Sequence, residues 1–195
     1  MNAPTAASET RHDVYLRAGK AGFYVRNDNH GVTLTDERIA WTFDGQSDSA
    51  PFKSIASVHL QSGGEINQCL IRFADGHLLT ITDANAYGVV TEQQTPVYRA
   101  FMHDLHARLV ASGVNSIRFT AGYMGGRHRV VMVGVLLLGL ICFVGPLVML
   151  VVTGEFKLLI ATVAGGGLCW SMLRTMQNNV PRDYDPTRPP EELLK

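Results

Sequence analysis

Cysteine is scarce and poorly placed for chemistry. The 195-residue chain holds three, Cys69, Cys142 and Cys169. None forms a C-x-x-C pair and two lie in apolar runs, which excludes a disulfide framework and a zinc ribbon. They read instead as small buried hydrophobes. Catalytic signatures are missing as well: there is no H-E-x-x-H, no G-x-x-x-x-G-K-[ST] and no G-x-G-x-x-G. His103 and His106 are three apart on a helical stretch and so neighbours on its surface, half of a metal site at most. No third ligand is near in sequence, so they read as a solvated face. No catalytic residue, cofactor or metal is assigned, and the chain is expected not to be an enzyme. The N-terminus has no apolar core of a signal peptide, so no cleavable signal is expected. Residues 1–12 read as a disordered tail.

One stretch without charge is far longer than any other. No Asp, Glu, Lys or Arg occurs over residues 130–154. Residues 130–152 would make a helix roughly 34 Å long, enough for a hydrocarbon core of roughly 30 Å. Pro146 removes a backbone donor inside this run and predicts a kink. A turn over 153–157 follows, with Gly154 as a left-handed cap. A second apolar run over 158–176 carries Lys157, Trp170 and Arg174 near its ends as interfacial anchors. Ala161 and Gly165 form a small-x-x-x-small pair that suits close helix packing. A homo-oligomer contact is the alternative role of these glycines. Together the runs predict a two-span transmembrane hairpin, with a re-entrant second run as the alternative. Arg127 and Arg129 before the first run, Arg174 and Arg182 at and beyond the end of the second and only Lys157 between them place both termini in the cytoplasm. The Arg-His-Arg of 127–129 is a topology anchor, too small for nucleic acid; residues 123–129 are a juxtamembrane linker.

Residues 13–122 read as a soluble domain. Short alternating runs punctuated by turn residues predict an antiparallel sheet that curls on itself. In "CLIRFADGHLLTI" a three-residue loop, Ala74-Asp75-Gly76, pairs Ile71 with Leu79 and Cys69 with Ile81, and puts Gly76 at the left-handed position. In "TPVYRAFMHDLHARLVASG" the stripe Tyr98, Phe101, Met102, Leu105 and Leu109 predicts a helix that starts at Thr95-Pro96 and ends at Gly113. Residues 177–195 contain four prolines and no core pattern, so they read as a disordered tail. Tyr184, Leu193 and Leu194 are apolar points along it, spaced for docking in a groove of a partner or of the chain itself.

"GVTLTDERIAW", "FKSIASVHL", "CLIRFADGHLLTI" and "YRAFMHDLHARL" give about seven strands followed by one amphipathic helix. This pattern resembles the pleckstrin-homology superfold, and more narrowly the small bacterial membrane proteins that join a PH-like domain to a transmembrane hairpin. The resemblance implies an α+β fold and an inner-membrane location. It also implies a non-catalytic module that recruits a protein partner or senses lipid. A structural subunit of a membrane complex or transporter, assembled through the hairpin, is the alternative. Arg17, Lys20 and Arg26 flank the first turn, but the close Lys-x-Arg pair of lipid-binding members is missing, so they read as solvated residues. The expected partners are membrane lipids and a protein, with a homo-oligomer as a further option.

Overall fold

A computed structural model of the chain describes residues 8–19, 29–43, 45–63, 66–85, 87–123 and 125–194. They form two compact units. The sheet unit takes the chain up to Ala121 and again from Arg182 on; the helical unit is Gly122–Pro181.

The strands of the sheet unit are β1 (Thr10–Gly19), β2 (Asn29–Leu34), β3 (Arg38–Phe43), β4 (Gln46–Pro51), β5 (Ile55–Gly63), β6 (Ile66–Phe73), β7 (Leu78–Thr82), β8 (Arg118–Ala121) and β9 (Arg182–Asp183). Helix α1 (Gln94–Ala111) lies between β7 and β8 in sequence. The sheet order is β4-β3-β2-β1-β7-β6-β5-β8-β9. All neighbours are antiparallel except β5 and β8, which run parallel.

Alternation explains which face each strand buries. Ile39 and Trp41 on β3, and Cys69, Ile71 and Phe73 on β6, point to the core. The β6–β7 turn uses the three-residue loop: Ile71 faces Leu79, Cys69 faces Ile81, and the Phe73 amide donates to the His77 carbonyl. Gly76 sits at φ 86°, a conformation that costs a residue with a Cβ. Trp41 stacks on Phe73 with ring centroids 5.5 Å apart. Their strands are four positions apart in the sheet, roughly 19 Å if it were flat, so the sheet bends strongly over its own core. Helix α1 adds Tyr98, Phe101, Met102, Leu105 and Leu109, all buried. It starts at Gln94, so Thr95 lies inside the first turn rather than at the cap. The order at the N-terminal side begins earlier than composition suggests, because His12 already belongs to β1.

In the helical unit, α2 (Gly125–Gly139) runs through a π-turn (Leu140–Val144) into α3 (Gly145–Thr153). The π-turn is the local answer to Pro146, which cannot donate to Cys142; instead the Gly145 amide reaches the Leu140 carbonyl. Gly154 ends α3 at φ 68°, its amide on Leu150. Helix α4 (Lys157–Asn178) packs back along α2 and α3. At the point of closest approach a Cβ on Gly165 would stand 2.0 Å from the Cys142 carbonyl oxygen. Where α4 ends, the Tyr123 amide donates to the Asn179 carbonyl at 2.9 Å.

The structure overturns the expected fold class. Instead of a seven-strand PH-like curl, the described residues form a nine-stranded mixed sheet. Strands β8 and β9 are short, and neither pairs locally: β8 joins β5 in parallel and β9 arrives from beyond the helical unit. Nor is a transmembrane helical hairpin shown. Among the described residues one helix, Met132–Thr153, is long and apolar enough to cross a membrane. The second apolar run becomes α4, whose apolar character is diluted by Lys157, Thr162, Gly165, Gly166, Gly167, Ser171 and Arg174.

Candidate functional site

The most elaborate constellation in the sheet unit is the seat of residues 182–194. Strand β9 adds to the outer edge of β8, Asp183 opposite Thr120 and Arg182 opposite Ala121. The Tyr184 amide then donates to the Phe119 carbonyl at 3.2 Å. Asp185 closes the following turn by accepting from the Thr187 amide and hydroxyl, and these bonds hold its carboxyl below the usual range. A 3₁₀ turn, Glu191–Leu193, delivers Leu193 and Leu194 into the core at 1% and 0% exposure. Full burial of each leucine stabilises by about 1.5–3 kcal/mol, which offsets part of the cost of ordering the segment, a cost its prolines already reduce. Polar contacts flank these anchors. Arg99 donates to the Leu194 carbonyl at 3.1 Å, His103 faces Glu191 at 3.6 Å, and Arg118 faces Asp183 at 3.3 Å. Arg182 pairs with Glu192 within the segment itself.

His106 holds the centre. It follows Leu105 on α1, so it lies at the flank of the apolar stripe and is only 2% exposed. Its Nδ1 is 2.7 Å from the Met102 carbonyl, and its Nε2 is 2.8 Å from the Tyr184 hydroxyl. A carbonyl only accepts, so Nδ1 carries the proton. Nε2 is then the acceptor and Tyr184 donates. Burial is the main cause that pushes the imidazole below its ordinary pKa, partly opposed by the Met102 bond. Burial likewise pushes the Tyr184 phenol up. Phe119 completes an aromatic trio, 5.8 Å from His106 and 5.7 Å from Tyr184.

A second network ties the beginning of the chain to the other side of α1. His12 Nε2 lies 2.9 Å from Asp104, and Arg108 Nε donates to the same carboxylate at 2.7 Å. Arg108 also donates to the Ser8 carbonyl, Asp36 and Thr10. Burial opposes the charge on Asp104, but the His12 and Arg108 bonds outweigh it and lower its pKa. This is a structural clip with its donors and acceptors consumed.

Two surfaces remain open. Among the described residues β4 pairs on one side only, with β3, and residues 46–49 are exposed. Next to it, Glu37, Arg38, Pro51, Phe52, Lys53, Ser112 and Val114 line a cleft of about 450 Å³. In the helical unit an apolar groove of about 520 Å³ is lined by residues that include Val135, Leu140, Phe143, Cys169 and Trp170.

Of the residues singled out in the sequence, Tyr184, Leu193 and Leu194 come together on the sheet unit. The stretch read as a disordered tail is therefore ordered over residues 182–194. Gly165 is buried against Cys142, whereas Ala161 is exposed. Pro146 begins α3, and Lys157, Trp170 and Arg174 are exposed. The side chains of Arg17, Arg127 and Arg129 lie outside the described residues, as do Lys20, Arg26 and residues 1–7 of the expected N-terminal tail. His103 and His106 do not share a face open to solvent: one meets Glu191 and the other is buried under Tyr184. Sequence reasoning set His106 on a solvated face, although it is buried, and missed Arg99 and Phe119. The available signal was the i+4 spacing of His106 from Met102, which put it at the border of the buried stripe. Compared with known proteins, the chain matches no family model and no curated sequence.

Proposed function

We propose that this chain is a membrane-attached, non-catalytic binding and assembly module whose sheet unit recruits a protein partner at the cytoplasmic face of the membrane. Attachment rests on Met132–Thr153, whose most apolar 18-residue stretch is only 6% buried. Leaving such a helix in water would be costly, and lipid is the solvent that suits it. Two features support the sidedness. Arg127 and Arg129 precede the span and Arg174 lies in α4, while residues 153–157 carry Lys157 offset by Glu155. The chain also leaves the sheet at Ala121 and re-enters it at Arg182 on neighbouring strands. Both flanks of the helical unit thus belong to one folded sheet and face one compartment.

The observation that carries recruitment is the open edge of β4 beside a charged cleft. An unpaired edge offers backbone donors and acceptors that an extended partner segment can complete, and the seat of residues 182–194 is an example on the opposite edge of the same sheet. A photo-cross-linker at Ser47 or Lys53 in native membranes is expected to capture one discrete heterologous adduct, absent with the probe at exposed Glu92. No adduct at either edge position, or equal capture at Glu92, would contradict the reading. The apolar groove of the helical unit favours a second reading, a structural subunit that assembles through its helices. Capture only from Leu136, itself 63% exposed, would select that one.

A further inference from the structure

We infer that His106 is a pH-sensitive latch: its protonation releases residues 182–194 from the sheet unit and bares the outer edge of β8 together with the seats of Leu193 and Leu194. The inference rests on how the imidazole is enclosed, and it is independent of which partner the module binds.

The docked imidazole has a fixed job for each nitrogen. Nδ1–H is spent on the Met102 carbonyl and Nε2 must accept from Tyr184. A proton on Nε2 turns an acceptor into a donor pointing at a hydroxyl whose own proton points back. Tyr184 could rotate its O–H away, but its oxygen then faces a buried charge in an aromatic pocket formed with Phe119. Among the described residues no carboxylate bonds to the ring to compensate. From α1 the nearby charged group is His103, whose charge disfavours a second one. From the segment come Tyr184, which is neutral, and Glu191, which is engaged with His103. β8 presents Phe119, packed against the core, whereas Thr120 shares the opposite face with His59 of β5, to which it is bonded at 2.8 Å. From β6, Cys69 is fully buried, and burial pushes its thiol up, so it stays neutral.

The sign follows from linkage. Docked, His106 titrates below its ordinary range; undocked and hydrated, it titrates near about 6.5. Undocking therefore takes up a proton in the window between these two values. Within it the docked state loses up to about tenfold in population per pH unit, and below the docked value the loss stops. His103 acts differently: once protonated it grips Glu191 more firmly, which opposes release.

The test is hydrogen exchange of residues 182–194 in the full-length protein in detergent, corrected for the intrinsic pH dependence of exchange. Protection is expected to fall between pH 7.5 and 5, by at most about thirtyfold. In His106→Gln, a neutral residue that can still accept from Tyr184, it should change less than about twofold; His103→Gln should keep the wild-type fall. Flat wild-type protection, or the same fall in His106→Gln, would overturn the latch. If His106→Gln does not fold, the imidazole resonances of the wild type decide: the His106 titration and the loss of protection must share one midpoint, and separate midpoints would refute the proposal.

Discussion

Replacing Leu194 by alanine is expected to destabilise the sheet unit by about 2–5 kcal/mol. Leu194 is wholly buried, in the same core as Leu105, Phe101 and Val58. The loss includes the transfer energy of the deleted carbons and the cavity left where α1 and the strands cannot fully collapse. Its carbonyl would still accept from Arg99, so the change isolates the apolar plug from the polar frame. Thermal unfolding of the full-length protein reads it through Trp41, which is buried on Phe73, with Trp170 replaced by Phe. A drop on the order of 10 °C is expected for a chain of this size. Glu192→Ala, which removes only a half-exposed ion pair with Arg182, is worth about 0–1 kcal/mol. Equal effects of the two substitutions would mean that the segment is not part of the core.

The second large effect is expected at Gly165. A Cβ there would fall 2.0 Å from the Cys142 oxygen and 2.7 Å from its carbon. Both are backbone atoms, held by the π-turn that Pro146 imposes, so no side chain can swing aside. Gly165→Val must therefore push α4 off the α2–α3 run, at a cost of about 1–3 kcal/mol or somewhat more. The reporter is one substitution away. A Cβ on Gly139 would lie 3.5 Å from Cys169 Sγ, close enough for a disulfide after small adjustment. With Cys142 changed to Ser, the Gly139→Cys protein is expected to form a disulfide between the introduced thiol and Cys169 on mild oxidation. Adding Gly165→Val should lower the yield about tenfold. An undiminished yield would show that the helices do not meet at this glycine.

The parts of the fold that were legible in the sequence are those whose causes are local. Gly76 picks out one register of the β6–β7 turn because only that loop length puts it at positive φ. The apolar stripe of α1 is read from spacing alone, and the 130–154 interval advertises itself by its lack of charge. What could not be read depends on pairings between distant residues. β9 has two residues, too few for a period, and becomes a strand only because the edge of β8 is already there; the parallel pairing of β8 with β5 is likewise set between residues distant in sequence. Residues 182–194 have the composition of a disordered tail. Their order comes from Tyr184, Leu193 and Leu194 finding a seat built by residues about eighty positions earlier. His106 was invisible for the same reason, since a histidine beside an apolar stripe looks solvated until the element that covers it is known. In α4 an apolar run suggested a second span, which the structure does not show; Gly165, read for close packing, lies against Cys142, and Gly166 lies against Phe143.

The central claim is that the chain crosses into the membrane at Met132–Thr153 yet closes its sheet with residues from beyond the helical unit. Single cysteines at Ser112 and Thr187, both exposed, in a protein with Cys142 and Cys169 changed to Ser and only the buried Cys69 retained, test this with an impermeant thiol reagent on oriented membrane vesicles. The account predicts that Ser112→Cys and Thr187→Cys are labelled from the same side. Labelling of the two from opposite sides, or recovery of the protein free of the vesicles, would contradict it.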